Sequence, residues 1–570
     1  MVRQSLRASR QRTARRAVFI LLCVVAAASG ARADAVGDRL RARIEGPADP
    51  SWRAPDLLQR FYRAGELVPA WLGDEPECGQ AVGLLAVLDE AELEGLDPST
   101  YHRAQLRDGL QRLLDGAPAA VSSEERADLD LLFTDAALAY GHDALVGRVD
   151  PQAIGEGLST PEPDVDLVEL LRTALALRTV RPALLSLLPA EAGYDRLRRV
   201  LAVYRELATR GGWQPVVGEP PLRLGDQGPA IAALRRRLQT TGDLASGPDD
   251  DRFDAATATA VSAFERRHGL QPDGEVGAAT LIELNVPVER RIATITANLE
   301  RRRWLPRAPE PRAVMVNAAG FELQVEESGH AVLAMRVVVG RAATSTPALD
   351  DRISYLVLNP AWEIPTTLAV RELLPELRRD PGMLRREGIR VLSDWSRDAV
   401  EIAPESIDWR EVTRDTFHYR LRQEPGPLNP LGRVKFVFPN HFDVYLHDTP
   451  AVRLFARSVR AFSHGCIRIE RPIELAEYLL RGDPRWGREE ILQAIATSRE
   501  QVVVLPEMVP VHLAYWTAWV DEQGAVQFRP DVYERDAALL AALAGRSAGA
   551  QRGAAVWEAP AGADGAEATR

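Results

Sequence analysis

At Ala313 the apolar residues stop recurring every third or fourth position and begin to alternate, which divides the chain into a helical part and a strand-rich part. Beyond that point Ala313-Val314-Met315-Val316, Phe321-Glu322-Leu323-Gln324-Val325, Met335-Arg336-Val337-Val338-Val339 and Tyr355-Leu356-Val357-Leu358 predict strands, with Gly320 and Gly340 as breaks. Residues 434–438, 444–447 and 501–505 extend the set, and 515–520 with 526–528 predict a closing pair rich in aromatics. Between 370 and 425 the chain predicts a helical, polar insertion with little strand signal, of the length expected for a lid.

The part before Ala313 is rich in Leu, Ala and Arg. Leu129 to Tyr140 and Val168 to Leu175 predict amphipathic helices, and Pro98, Pro151, Pro161 and Pro189 separate the elements. Residues 219–286 predict a compact three-helix module. Ile231, Leu234 and Leu238 share one helical face after Gly228-Pro229, Asp254 caps a second helix that turns Val261 and Phe264 inward, and 277–285 gives the third. A chain of 570 residues exceeds what one core can organise. The expected architecture is multidomain α+β: a helical scaffold over 34–218, the small module over 219–286, a helical linker over 287–312, a mainly β domain over 313–545 with its capping insertion, and a disordered tail over 546–570.

Lys plus Arg number 70 against 81 Asp plus Glu, a net charge of −11, which argues against a nucleic-acid partner. Arg235-Arg236-Arg237 and Arg301-Arg302-Arg303 are expected on solvated helix faces. Residues 1–33 read as a secretory signal: arginines, an apolar run at 17–28, and Ala31-Arg32-Ala33 as a cleavage site. An uncleaved leader would instead tether the protein to the inner membrane.

Chemistry concentrates in Tyr445-Leu446-His447-Asp448 and Ser463-His464-Gly465-Cys466-Ile467-Arg468. Acyl transfer at neutral pH requires a nucleophile, an adjacent base and donors for the developing oxyanion. Cys466 and His447 supply the first two if the strand ending at 447 lies beside the turn carrying 466. Gly465 permits a tight turn whose amides, at 465 and 466, are expected to face the oxyanion. Three other readings use the same residues. A buried cysteine is usually a small hydrophobe. His441, His447, His464 and Cys466 are metal-ligand types, but one residue between 464 and 466 is closer than zinc spacing, so no metal or cofactor is expected. A disulfide from Cys466 to Cys78 would bury the chemistry.

A histidine, 14 to 17 residues, then Ser/Thr-His-Gly-Cys is the signature of the L,D-transpeptidases, and here 15 residues lie between His447 and Ser463. Together with Asn359-Pro360-Ala361-Trp362, Leu431-Gly432-Arg433-Val434-Lys435-Phe436 and Ala461-Phe462, this spacing gives a chain that resembles the large, multidomain periplasmic branch of that family. Leu145-Val146-Gly147-Arg148-Val149-Asp150-Pro151 resembles its scaffold region, the insertion its capping subdomain, and 219–286 its peptidoglycan-binding domain. Arg252-Phe253-Asp254 departs from that domain's usual Gly on each side of the Phe, which puts glycan affinity in question.

The resemblance implies Cys466 as nucleophile, His447 as general base and acid, His464 as an orienting, oxyanion-side or structural residue, and Gly465 as the oxyanion turn. Ser463, Arg468, Trp362 and Tyr445 are the substrate-side candidates, with Ser463 expected as a turn or hydrogen-bonding residue, Arg468 facing a substrate carboxylate, and Trp362 either lining the cleft or packed as a core aromatic between strands. The resemblance further implies a peptidoglycan tetrapeptide stem as donor, cut before its terminal D-alanine, and a diaminopimelate side-chain amine as acceptor, giving a 3→3 cross-link. Carbapenem acylation of Cys466, a periplasmic location and wall-synthesis partners follow from the same resemblance. An L,D-carboxypeptidase, a lipoprotein-to-wall ligase and a non-catalytic wall-binding scaffold are the alternatives.

Overall fold

The computed structural model describes residues 35–65, 67–72, 78–115, 121–158, 165–247, 250–307 and 310–548. The leader expected at 1–33 and the part of the expected tail beyond 548 lie outside these residues. Among the described residues no helix is long and apolar enough to cross a membrane.

The N-terminal helices pack around Ser123–Val146, a 24-residue helix opened by a capping box between Ser122 and Glu125. The amphipathic stripe expected over 129–140 is not what forms. Asp130, Phe133, Ala136, Ala137, Leu138 and Tyr140 are all buried, so neighbouring helices enclose this one on every side. Its many alanines allow that close approach.

The small module has its own core of Leu234, Leu238, Phe253, Val261 and Phe264, all at most 1% exposed. Each such side chain contributes roughly 1.5–3 kcal/mol by leaving water. Gly228 and Pro229 start the first helix, and the Asp254 carboxylate accepts the Thr257 N–H at 2.8 Å to start the second. Here Arg237 departs from a solvated face: it is buried, with its guanidinium 3.8 Å from the Trp213 ring centroid and Nε donating to the Leu284 carbonyl.

The linker helix, Val288–Arg303, is where the solvated-face expectation fails most clearly, because Arg301, Arg302 and Arg303 are 3–4% exposed. Arg301 bonds Glu156 and Asp536, Arg302 bonds Glu191, and Arg303 bonds Glu300, the Glu94 carbonyl and the Tyr194 hydroxyl. Each guanidinium therefore finds an acceptor on a different part of the chain. The helix is the strut on which scaffold and β domain meet, and its Asn298 exchanges hydrogen bonds with Thr517 of the β domain.

The β domain is built on a nine-stranded sheet. Its strands are β1 Arg312–Asn317, β2 Glu322–Glu327, β3 His330–Gly340 and β4 Leu349–Leu358. After β5 Trp362–Ile364, β6 Ile389–Leu392, β7 Glu401–Ile402 and β8 Arg420–Gln423, which form a separate sheet, come β9 Val434–Val437, β10 Leu446–His447, β11 Ala461–Ser463, β12 Ile467–Ile469 and β13 Gln501–Ala514. The order is β11-β3-β12-β10-β9-β4-β13-β1-β2, and β2 also pairs with β3, so the sheet curls back on itself. Alternation sends Val337, Val339, Leu356, Leu358, Val434, Phe436, Leu446, Ile467 and Ile469 into one core with the helix Pro472–Leu480. A hairpin of β14 Ala518–Val520 and β15 Val526–Phe528 closes the domain where expected.

The insertion differs from its expected helical character. Its short helices surround the four-stranded sheet β5-β8-β6-β7, with a core of Ile364, Leu374, Leu377, Val391, Trp409 and Leu421. Strands of two to four residues are too short to show alternation.

Candidate active site

β10 runs parallel to β12 and antiparallel to β9, with Leu446 opposite Ile467 and Phe436, and His447 opposite Arg468 and Lys435. Since Leu446, Ile467 and Phe436 point into the core, the residues between them point to the opposite face. Two adjacent rows result: Lys435, His447 and Arg468 in one, Tyr445 and Cys466 in the next. The imidazole and the thiol, 19 positions apart in sequence, thus share one face of the sheet on neighbouring strands. Cys78, at the start of a scaffold helix, and Cys466 are both free thiols.

His447 is buried, and its Nδ1 lies 2.6 Å from the Asp448 carbonyl. A carbonyl only accepts, so Nδ1 carries the proton and Nε2 is left as the basic nitrogen. Burial, then the nearby charges of Arg468 and Lys435, push the imidazole down to about 3, which keeps it neutral at physiological pH.

Cys466 keeps part of its surface accessible. Its Sγ donates to the Asp443 carbonyl at 3.7 Å, and no hydrogen bond joins it to His447. Burial pushes the thiol up, against the opposing effects of the Tyr445 amide and hydroxyl, Lys435 and Arg468. Resting thiol and imidazole are therefore both neutral. Lys435 sits 3.8 Å from the Tyr445 ring centroid, and burial holds its ammonium below the usual lysine range. Arg468 is half-buried, its Nε has no hydrogen-bond partner among the described residues, and burial lowers it too. Two cations thus stand beside a thiol that becomes an anion only when it reacts.

The turn before Cys466 departs from expectation in one respect. Gly465 adopts φ +121°, a conformation that favours glycine, but its N–H donates to Ser463 Oγ at 3.1 Å and is not free for an oxyanion. The Cys466 N–H has no acceptor among the described residues. Ser463 is buried and spans the turn as a hydrogen-bonding residue, donating from Oγ to the Cys466 carbonyl at 2.6 Å, so it does not face a substrate. Thr346 Oγ1 fixes the same turn through the Gly465 carbonyl at 2.7 Å.

His464 does not point at the thiol's hydrogen-bond partners. Its Nε2 lies 2.7 Å from Glu372 of the insertion and 2.7 Å from Arg341, which itself donates to Glu372. Trp362 lies on β5 opposite Gln423 and packs against the insertion's core, as a core aromatic between strands would. Tyr445 and Arg468 are the substrate-side candidates brought next to the thiol.

Lys435, Asp443 and Glu372 were not singled out by sequence reasoning. A lysine within an apolar strand was the available signal for the first. Asp443 has φ +55°, in a turn organised by Asn440, whose Oδ1 accepts from Phe442 N and Val444 N. That strained backbone leaves no mark in the sequence. Among the described residues no three His, Cys, Asp or Glu side chains converge as a metal-ligand set.

Residues 311–487 match the family model described as "L,D-transpeptidase catalytic domain". The chain carries an L,D-transpeptidase catalytic domain. Residues 227–284 match the "Putative peptidoglycan binding domain" model and 56–201 the "Scaffold domain" model, so the transpeptidase domain is one of several. A Haemophilus influenzae protein named "Putative L,D-transpeptidase" is 33% identical over 242 residues, 42% of this chain and 48% of that protein. The chain thus spans about half the length of this curated relative. Two solved structures are also similar. One, an L,D-transpeptidase of Xylanimonas cellulosilytica, has 17% identity, 53% coverage of this chain and 100% of that one, and a TM-score of 0.17. The other, an L,D-transpeptidase of Stackebrandtia nassauensis, has 14% identity, 53% and 96% coverage, and a TM-score of 0.20.

Proposed function

We propose that this protein is a cell-envelope acyltransferase that works through Cys466, joining peptidoglycan stems by 3→3 cross-links. The observation that carries the reading is the partly accessible thiol on the same sheet face as a neutral imidazole whose tautomer leaves Nε2 basic.

With both groups neutral at rest, the proton leaves sulfur as the sulfur attacks, not beforehand. The S–C bond forms at the donor's carbonyl while the thiol proton passes to His447 Nε2. Lys435 and Arg468 offset the negative charge that builds on sulfur and oxygen, and the Cys466 N–H is positioned as an oxyanion donor. One such donor is typically worth about 3 kcal/mol. His447 then protonates the leaving amine of D-alanine, the C–N bond breaks and a thioester remains. An acceptor amine attacks the thioester, the C–S bond breaks, and its surplus proton returns through His447 to sulfur. Tyr445 and Arg468 border the acyl group. His464 acts from outside, holding the turn to the cap.

Intact-mass measurement with a carbapenem tests this reading. One adduct on wild type and none on Cys466→Ala is expected, and adduct formation on Cys466→Ala would overturn it. Chelators are expected to leave acylation unchanged.

A further inference from the structure

A cleft of about 640 Å³ separates the small module from the transpeptidase domain. Its walls are residues 266–272 of the module on one side, and β2, β3, residues 455–460 and Glu470 on the other. Its back is fixed: Arg529 packs so close to Gly269 (φ +70°) that a side chain there would collide with it, and it donates to the Arg267 carbonyl at 2.9 Å. His268 stacks on Phe528 at 5.5 Å between centroids, so the two walls are docked and the cleft is preformed.

Five arginines line the cleft (266, 336, 457, 460 and 529) against two carboxylates, Glu322 and Glu470, so it carries an excess of positive charge. Arg460 and Arg529 bond backbone carbonyls and the Gln527 amide, not carboxylates. Arg266 and Arg457 are exposed, and their guanidiniums bond no acceptor among the described residues. Arg336 is paired with Glu470. One further carboxylate, Glu322, faces the cleft and accepts no hydrogen bond from a described residue. Burial, then the nearby charges of Arg336 and Arg529, push Arg460 down to about 10 against the opposing effect of Glu470 and Glu322. The cleft lies along the working face: Cys466, Arg468 and Glu470 alternate along one line, which puts Glu470 roughly 13 Å from Cys466.

We propose that this cleft is a second peptide site, binding a stem that carries more carboxylates than amines and anchoring it while another stem is acylated at Cys466. Guanidinium forks match carboxylates, and Glu322 suits an amine on the same ligand. The mixed signs disfavour a polyanion. The proposal rests on the wall-directed reading above and adds a site that reading does not need.

The test uses the full chain with Cys466→Ala and a photoreactive synthetic tetrapeptide stem with free carboxylates. Photo-adducts are expected on residues 266–272 and 455–460. Affinity is expected to fall at least tenfold on amidating the carboxylates, and by a similar factor in Arg266→Glu/Arg457→Glu, two exposed positions. Adducts confined to the surroundings of residue 466, or equal affinity for the amidated stem or in the reversed variant, would overturn the proposal. With Cys466 intact, Arg266→Glu/Arg457→Glu is expected to take up a carbapenem at the wild-type rate. If neither protein is acylated, the catalytic reading fails while the binding comparison still stands.

Discussion

The neutrality of the resting thiol can be read directly from its alkylation rate. Only the thiolate reacts with iodoacetamide, and an ordinary cysteine, with a pKa of about 8.5, is roughly 3% thiolate at pH 7. Burial of Cys466 lowers that fraction further, since the thiol is pushed up despite Lys435 and Arg468. His447 cannot hold the missing proton at rest, being pushed down to about 3. The alkylation rate should therefore climb about tenfold per pH unit from pH 6 to 8.5 without a plateau. The experiment is intact-mass kinetics on Cys23→Ser/Cys78→Ser, which leaves Cys466 as the thiol followed. His447→Ala should change alkylation by less than about threefold, yet slow acyl transfer by about 10²–10⁴, the range for a lost general base. A pH-independent rate between 6 and 8, abolished in His447→Ala, would mean a resting ion pair and refute this reasoning.

Because His447 stays neutral down to about pH 3 and the thiol keeps its proton until it attacks, kcat/KM for transfer should show no acid limb near pH 6.5 and should stay level across neutral pH. An inflection between 6 and 7 that disappears in His447→Ala would contradict the assignment. The same imidazole takes up a proton near pH 6.5 when unfolded, so it withdraws stability as pH falls from 6.5 towards 3, and His447→Asn should flatten that part of a Tm-against-pH curve. Arg303→Met leaves Glu300 buried without its cation and should cost about 3–5 kcal/mol in urea unfolding, where a loss under 1 kcal/mol would show that the strut is not held by its ion pairs. Glu372→Gln should change stability by less than about 1 kcal/mol, because the group is over a third exposed, while hydrogen exchange in 369–373 quickens. Unchanged exchange there would mean that His464 does not tie the cap down.

Period-two alternation made the sheet legible, and the interval between His447 and Cys466 made the pairing of β10 with β12 legible, because the core residues between them fix which face each side chain takes. The arginine run at 301–303 was misleading. A charged run resembles a solvated face unless one knows that Glu156, Glu191 and Asp536, up to 235 positions away, converge on it. The insertion was read as helical because its strands are too brief to alternate. The role of the Gly465 amide failed for a local reason: the serine two residues earlier takes its hydrogen before any substrate could. The tie from His464 to Glu372 depends on a contact between the turn and an insertion 92 residues before it, and no periodicity reports such a contact.

The central claim is that acyl groups pass through the sulfur of Cys466. Purified tetrapeptide muropeptides, incubated with wild type and with Cys466→Ala and analysed by mass spectrometry, address it most directly. The account predicts 3→3-linked dimers and a covalent stem on residue 466 in wild type, with neither in the variant. Dimers formed at an undiminished rate by Cys466→Ala would contradict it.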